Sequence, residues 1–234
     1  METLEPDVLR SRLRFDYQTV MAMSCPLMTV EAYRNCDDLL ARHNAITSEA
    51  DGHLAVHYRV KYDIQTLVAP GRYSDSTTVR FDLFANNNYP YTEPACFVIE
   101  TESKTPWSPH FLEGHHVCIG PSWERAEGQM LLGELMVHVA KLLNFDEPPY
   151  EDPNYGGWRP EAIEYWVKEL ERQPISKKLE YPPLPQKVRK GSANTEPAKS
   201  AFVKRRLVAP ATPMIKLRAT TPAGTGPRIK FRTS

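Results

Sequence analysis

The run HLAVHYRVKYDIQTLV, residues 53–68, constrains the fold more than any other stretch. Leu54, Val56, Tyr58, Val60 and Tyr62 occupy every second position, with polar groups between most of them. An extended chain sends alternate side chains to opposite faces, so this pattern predicts a strand with one buried face. TTVRFDLFA (77–85) alternates in the same way, and VAPGRYSDS before it reads as a turn, so the two runs are predicted to pair as a hairpin. ACFVIETES (95–103) is predicted as a third strand. NNNYPYTEP cannot lie in a regular ladder, because Pro90 and Pro94 have no N–H to donate.

Helical patterns flank these strands. Leu9, Leu13, Tyr17 and Val20 recur at helical spacing, with Pro6 suited to a first turn. Residues 26–50 are predicted to be partly helical around TVEAYRNCDDLLARHN. MLLGELMVHVAKLLNF carries Leu131, Leu135, Val139, Leu142 and Leu143 on one stripe, and RPEAIEYWVKELE carries Ile163, Trp166, Val167 and Leu170. Strands grouped together with helices at both ends indicate an α+β fold with an antiparallel meander.

The net charge of zero hides an asymmetry. Residues 176–234 hold 14 Lys and Arg against two Glu, which leaves residues 1–175 with a net charge of −12. The basic part is also rich in proline and poor in aromatics, a composition that buries too little apolar surface to offset its ordering entropy. The chain therefore reads as a folded domain over 1–175 and a disordered basic tail over 176–234. The tail offers a nonspecific contact with an acidic partner or nucleic acid, or no contact at all; its basic runs lack the interleaved aromatics that stack bases. Cys25, Cys36, Cys96 and Cys118 form no CxxC pair, no apolar run is long enough for a membrane span, and METLEPDVLRSR lacks the apolar core of a secretory signal. Reduced thiols and a cytoplasmic location are expected.

Residues 103–129 combine little regular patterning with Trp107, Phe111, Val117, Ile119 and Trp123, enough apolar groups to anchor a long loop. The same loop concentrates His110, His115, His116 and Cys118. Three chemistries fit Cys118. It is a small core residue, as most free cysteines are. It is one ligand of a zinc site with the histidines, although the H-x4-H-H-x-C spacing matches no common zinc module. Or it is a nucleophile, with a neighbouring imidazole donating to a reacting carbonyl.

Several elements in order favour the last of these. YPYTEP, then Ser108-Pro109-His110, then VCIGPSW, then an amphipathic helix, resembles the ubiquitin-conjugating enzyme family over residues 8–170. Tyr89, Pro90 and Pro94 match the family's Tyr-Pro and following proline. Ser108-Pro109-His110 stands where the family has His-Pro-Asn, ten to eight residues before the active cysteine. Cys118 matches that cysteine and Trp123 the later tryptophan. The Cys-Ile-Gly-x-x-Trp spacing looks more like the bacterial members. The chain departs from the pattern at Ser108 and His110, which replace the histidine and the asparagine. No aspartate carries over as the group that conditions an incoming amine, although Asp146 and Asp152 lie in the same region.

The resemblance implies transthiolation without a cofactor or metal. An activating enzyme presents a ubiquitin-like modifier as a thioester, Cys118 takes the modifier, and an amine of a target protein, directly or through a ligase, receives it. His110 and then His116 are the implied oxyanion donors, and Trp123, Tyr89 and Pro90 the implied binding positions. The rival expectations are an inactive module of the same fold that binds the modifier, and a zinc-binding adaptor.

Overall fold

The computed structural model describes residues 5–85, 88–112, 115–120, 123, 126, 129–146 and 159–184. Helix α1 runs Pro6–Ala22, with Pro6 in its first turn. Strand β1 (Met28–Tyr33) and the short helix α2 (Cys36–Ala41) follow, then a 3-10 turn at Glu49–Leu54. The remaining strands are β2 (His57–Tyr62), β3 (Thr66–Ala69), β4 (Arg72–Ser74), β5 (Thr77–Asp82) and β6 (Ala95–Val98). Helices α3 (Leu132–Leu143) and α4 (Pro160–Lys168) follow among the described residues.

The fold is α+β. β1, β2, β5 and β6 form one antiparallel sheet in that order, and β3–β4 is a small separate hairpin. Val60 pairs with Val30 on one side and Val79 on the other, so the alternating residues of three strands line up on one face. That inner face (Tyr58, Val60, Tyr62, Val79, Phe81, Cys96, Val98) packs with Leu13, Tyr17 and Val20 of α1 and with Leu132, Leu135, Met136, Val139, Leu142 and Leu143 of α3. Each fully buried large side chain contributes about 1.5–3 kcal/mol of transfer free energy, so this shared core is the main support of the sheet. The Tyr62 hydroxyl donates to the Met136 carbonyl at 3.0 Å, which satisfies a buried polar tip.

The opposite face carries ions. Arg59 is 4 % exposed and lies between Glu31 and Glu102, donating Nη1 to Glu31 at 2.7 Å and Nε to both oxygens of Glu102 at 3.0 and 3.1 Å. A second, small apolar cluster of Tyr33, Leu39 and Ile99 sits where α2 covers β1.

Some boundaries differ from the sequence expectations. Residues 26–50 contain α2, but also β1, in which Met28, Val30 and Ala32 alternate with Thr29 and Glu31, and Glu31 is paired with Arg59 across the strand pair. Asn35 starts α2 by accepting from the Asp38 N–H at 2.7 Å. Leu54 and Val56 precede the strand rather than belong to it. VAPGRYSDS forms the β3–β4 hairpin, with Gly71 at φ +66° in its turn. The third predicted strand stops at Val98, because Glu102 and Ser103 both donate to the Ile99 carbonyl and turn the chain.

The chain after Gln173 stays against the body. Ile175 donates to the Asn144 carbonyl at 2.9 Å, and Ser176 donates to the Asn144 side chain at 2.8 Å. Asn144 Nδ2 donates to the Ser176 carbonyl and the Tyr181 hydroxyl, both at 3.1 Å, while Leu179 and Tyr181 pack on the core. So residues 176–184, assigned to the tail by composition, are seated on the domain; 185–234 lie outside the described residues. Among the described residues no helix is long and apolar enough to cross a membrane.

Candidate functional site

Two antiparallel bridges extend the sheet beyond β6 and create the site. His116 pairs with Phe97, and Val117 pairs with Phe111. On the β6 side, Val98 donates to the His115 carbonyl and Val117 to the Cys96 carbonyl, both at 2.8 Å. On the far side, Leu112 donates to the His116 carbonyl at 2.9 Å and Cys118 to the His110 carbonyl at 2.8 Å. Residues 115–118 are therefore threaded between β6 and residues 110–112.

This register decides which side chains meet. Phe111 and Val117 oppose each other and are buried in the core. Cys118, next to Val117, leaves on the other face, and its N–H binds the carbonyl of His110, which stands in a turn at the edge of the pairing. His116, two residues before Cys118, leaves on that same face. Burial agrees: His116 and Cys118 are half-buried while Val117 and Ile119 are buried. His110 is buried. The Cys118 thiol is free and partly accessible, which a nucleophile requires.

His116 packs edge-on against Phe97 with ring centroids 5.2 Å apart. Burial pushes its pKa below the ordinary histidine value, which favours the neutral ring, a form that still has one N–H to donate. His115 takes no part. Its backbone is left-handed, at φ +70°, and its ring is engaged by Thr105 and Glu100.

The next residue is held from the helix layer. His138 Nε2 lies 3.1 Å from the Ile119 carbonyl, so the ring donates from Nε2, and Gly120 then turns the chain at φ +65°. His138 had the sequence look of a surface histidine. The signal that could have found it is its position: Glu134 and His138 are the two half-buried residues between Leu131 and Ala140, one helical turn apart, on an otherwise buried segment.

Tyr89, Pro90 and Trp123 come together, but inside the protein. Trp123 is 0 % exposed and donates Nε1 to the Pro90 carbonyl at 2.9 Å. Its ring lies 5.8 Å from that of Tyr89, and the Tyr89–Pro90 peptide is cis. The Tyr89 hydroxyl donates to Asp16 Oδ2 at 2.6 Å. Asp16 also accepts from Arg12 Nε at 2.6 Å and from the Leu132 N–H at 3.3 Å. These groups brace the loop against α1 and the start of α3; their burial leaves no surface with which to grip a partner. Burial raises the pKa of Asp16 in spite of Arg12, and holds the Tyr89 hydroxyl well above the ordinary tyrosine value. Asp16 was hidden in the sequence by its place on the apolar stripe of α1, between Leu13 and Tyr17.

Asp146 is exposed just after α3, with its N–H bound to the Lys141 carbonyl at 2.9 Å; Asp152 lies outside the described residues. Among the described residues no three His, Cys, Asp or Glu side chains converge as a metal-holding group. The local reason is plain for the histidine loop: His115 is tied to Thr105 and Glu100 while His116 is packed on Phe97, so the zinc expectation lacks a shared focus. No family model matches this chain, and no curated protein is significantly similar to it.

Proposed function

We propose that this chain has the ubiquitin-conjugating fold and carries a ubiquitin-like modifier as a thioester on Cys118. The observation that carries the proposal is the pairing of residues 110–118: a partly accessible thiol sits on a segment whose N–H is held by the His110 carbonyl, two residues after His116. The element order supports it, since α1, the four-stranded meander, the cysteine segment and α3 and α4 follow the family's sequence of elements.

The reaction conserves one thioester bond until its last step. The Cys118 thiolate attacks the carbonyl carbon of the modifier's C-terminal glycine, held as a thioester on the activating enzyme. The tetrahedral intermediate collapses, and the activating enzyme's cysteine leaves as a thiolate. A target amine, directly or brought by a ligase, then attacks the new thioester. Cys118 leaves as thiolate, an amide forms, and the amine's proton passes to solvent. Negative charge develops on the carbonyl oxygen in both steps. An N–H donor beside the thiol lowers that barrier, and His110 is the first such group, His116 the second. Reduced thiols are required throughout, which suits a cytoplasmic location.

The test is a thioester assay with ATP, the cognate activating enzyme and its modifier, read on paired non-reducing and reducing gels. Wild type should give an adduct that thiol reductant removes, and Cys118→Ala should give none. Cys118→Ser should give a slower adduct that survives reductant, because an alkoxide is a poorer leaving group than a thiolate. An adduct on Cys118→Ala, or none on wild type, would sink the carrier function; the second result would favour an inactive module that binds the modifier, as the replacement of the family's asparagine by His110 allows.

A further inference from the structure

Helix α3 is buried along its length except for a polar stripe that includes Glu134 and His138. Glu134 turns back and accepts from the Leu131 N–H at 2.8 Å, capping its own helix. His138, one turn later, reaches out of the helix to the Ile119 carbonyl. Cys118 is thus bracketed. Its own N–H is fixed by the His110 carbonyl at 2.8 Å, and the carbonyl of the next residue is fixed by His138 at 3.1 Å. The Ile119 side chain is buried in the core between these two anchors, and Gly120 turns away at once in a left-handed conformation. The His110 anchor belongs to the same loop layer, whereas His138 ties that layer to a helix whose position is set by the main core.

We infer that His138 is a positioning residue for Cys118, holding the Cys118-Ile119 segment at a fixed height over α3 through the Ile119 carbonyl. The inference deepens the carrier function proposed above, but its structural content can be tested without any modifier. Without the bond, the segment loses its polar tie to α3 and opens locally, exposing the half-buried thiol more often.

The experiment is alkylation of the full chain by iodoacetamide, followed site by site by peptide mass spectrometry, for wild type, His138→Leu and His138→Gln. Cys96, buried on β6, serves as the internal reporter of global opening. In His138→Leu, Cys118 should react about threefold faster, the population shift that one ordinary hydrogen bond supplies, with Cys96 unchanged. His138→Gln, whose amide can donate in place of Nε2–H, should return the rate toward wild type. Equal Cys118 rates in all three proteins overturn the inference, and so does a rise at Cys96 in step with Cys118. Should His138→Leu fail to fold, nitrogen-15 spectra of wild type decide: a neutral ring with its proton on Nε2 supports the inference, and one with its proton on Nδ1 overturns it. A wild type that shows this alkylation contrast but forms no thioester with its cognate partners leaves the positioning in place and removes the carrier function.

Discussion

Cys118 donates its backbone N–H to the carbonyl of His110 at 2.8 Å, and this bond joins the thiol segment to the turn that carries the imidazole. The eight-residue separation in sequence is therefore closed by the backbone rather than by side-chain reach. If His110 stabilises the developing oxyanion, its removal acts on the chemical step. His110→Ala should slow single-turnover thioester formation about 100-fold, while His110→Asn, which keeps a donor, should retain most of the rate. Rapid-quench measurements with preloaded activating enzyme read this, beside a thermal melt for each variant. A folded His110→Ala protein that forms thioester at the wild-type rate would remove His110 from the chemistry.

Tyr89 and Asp16 lie 73 positions apart in the chain and are joined by a 2.6 Å hydrogen bond in the interior. The bond ties the loop before β6 to α1, and the Leu132 N–H ties the start of α3 to the same carboxyl. Tyr89→Phe should cost about 1.5–3 kcal/mol, the usual worth of a hydrogen bond to a charged group. Asp16→Ala should cost more, about 3–5 kcal/mol, because Arg12 loses its carboxylate partner in a mostly buried position. Urea unfolding midpoints with unchanged slopes would measure both. Equal losses for the two variants would show that Arg12 does not depend on Asp16.

The alternation of residues 58–62 and 77–82 was legible because period two has one physical cause, and both strands lie in the sheet where the pattern put them. α1 and α3 were legible for the same reason at period 3.6. β1 was not read, although Met28, Val30 and Ala32 alternate with Thr29 and Glu31, because the run is short and passes directly into the helical pattern of α2. The histidine and cysteine loop was legible as a concentration of chemistry, but the backbone bond between Cys118 and His110 depends on a segment threaded beside β6, which no local pattern encodes. Asp16 was missed because it is a polar group on the apolar stripe of α1, and His138 because it lies on the polar stripe of α3; the partner of each is far away in sequence. The seat of residues 176–184 was missed because composition averages over the tail, while three polar contacts of Asn144 and two side chains, Leu179 and Tyr181, hold this short part.

Gly52, in the 3-10 turn before β2, allows α1 to come close. A Cβ added there would stand 2.5 Å from Cδ1 and 2.8 Å from Cγ of the Tyr17 ring. Tyr17 cannot swing away freely, since it is buried and its hydroxyl donates to the Ile46 carbonyl at 3.1 Å. Gly52→Ala should therefore destabilise the protein by about 1–3 kcal/mol, the range for an overpacked core. A melting temperature equal to wild type would mean that the turn yields without cost.

Arg59 sets how the protein meets acid. Its hydrogen bonds pull the pKa of Glu102 below the ordinary glutamate value; at Glu31 burial pushes upward, and the hydrogen bonds from Arg59 and Tyr33 with the charges of Arg59 and Arg42 together bring the pKa below the ordinary value. A carboxyl with a depressed folded pKa contributes stability that is present above the unfolded value, about 4.3, and is lost as pH falls through the folded one. Asp16 has the opposite sign: its folded pKa is raised, so protonation at low pH favours the folded state at that position. Acid sensitivity should thus come from the Glu31–Arg59–Glu102 group and not from Asp16. Arg59→Met should lower stability at pH 7 by about 3–5 kcal/mol, because two partly buried carboxylates lose their cation. The difference from wild type should shrink as pH falls below about 4, where both glutamates take up protons in the variant. Urea unfolding of both proteins at pH 7, 5, 4 and 3 measures it. A difference that stays constant across that range would show that the worth of Arg59 lies in packing rather than in charge.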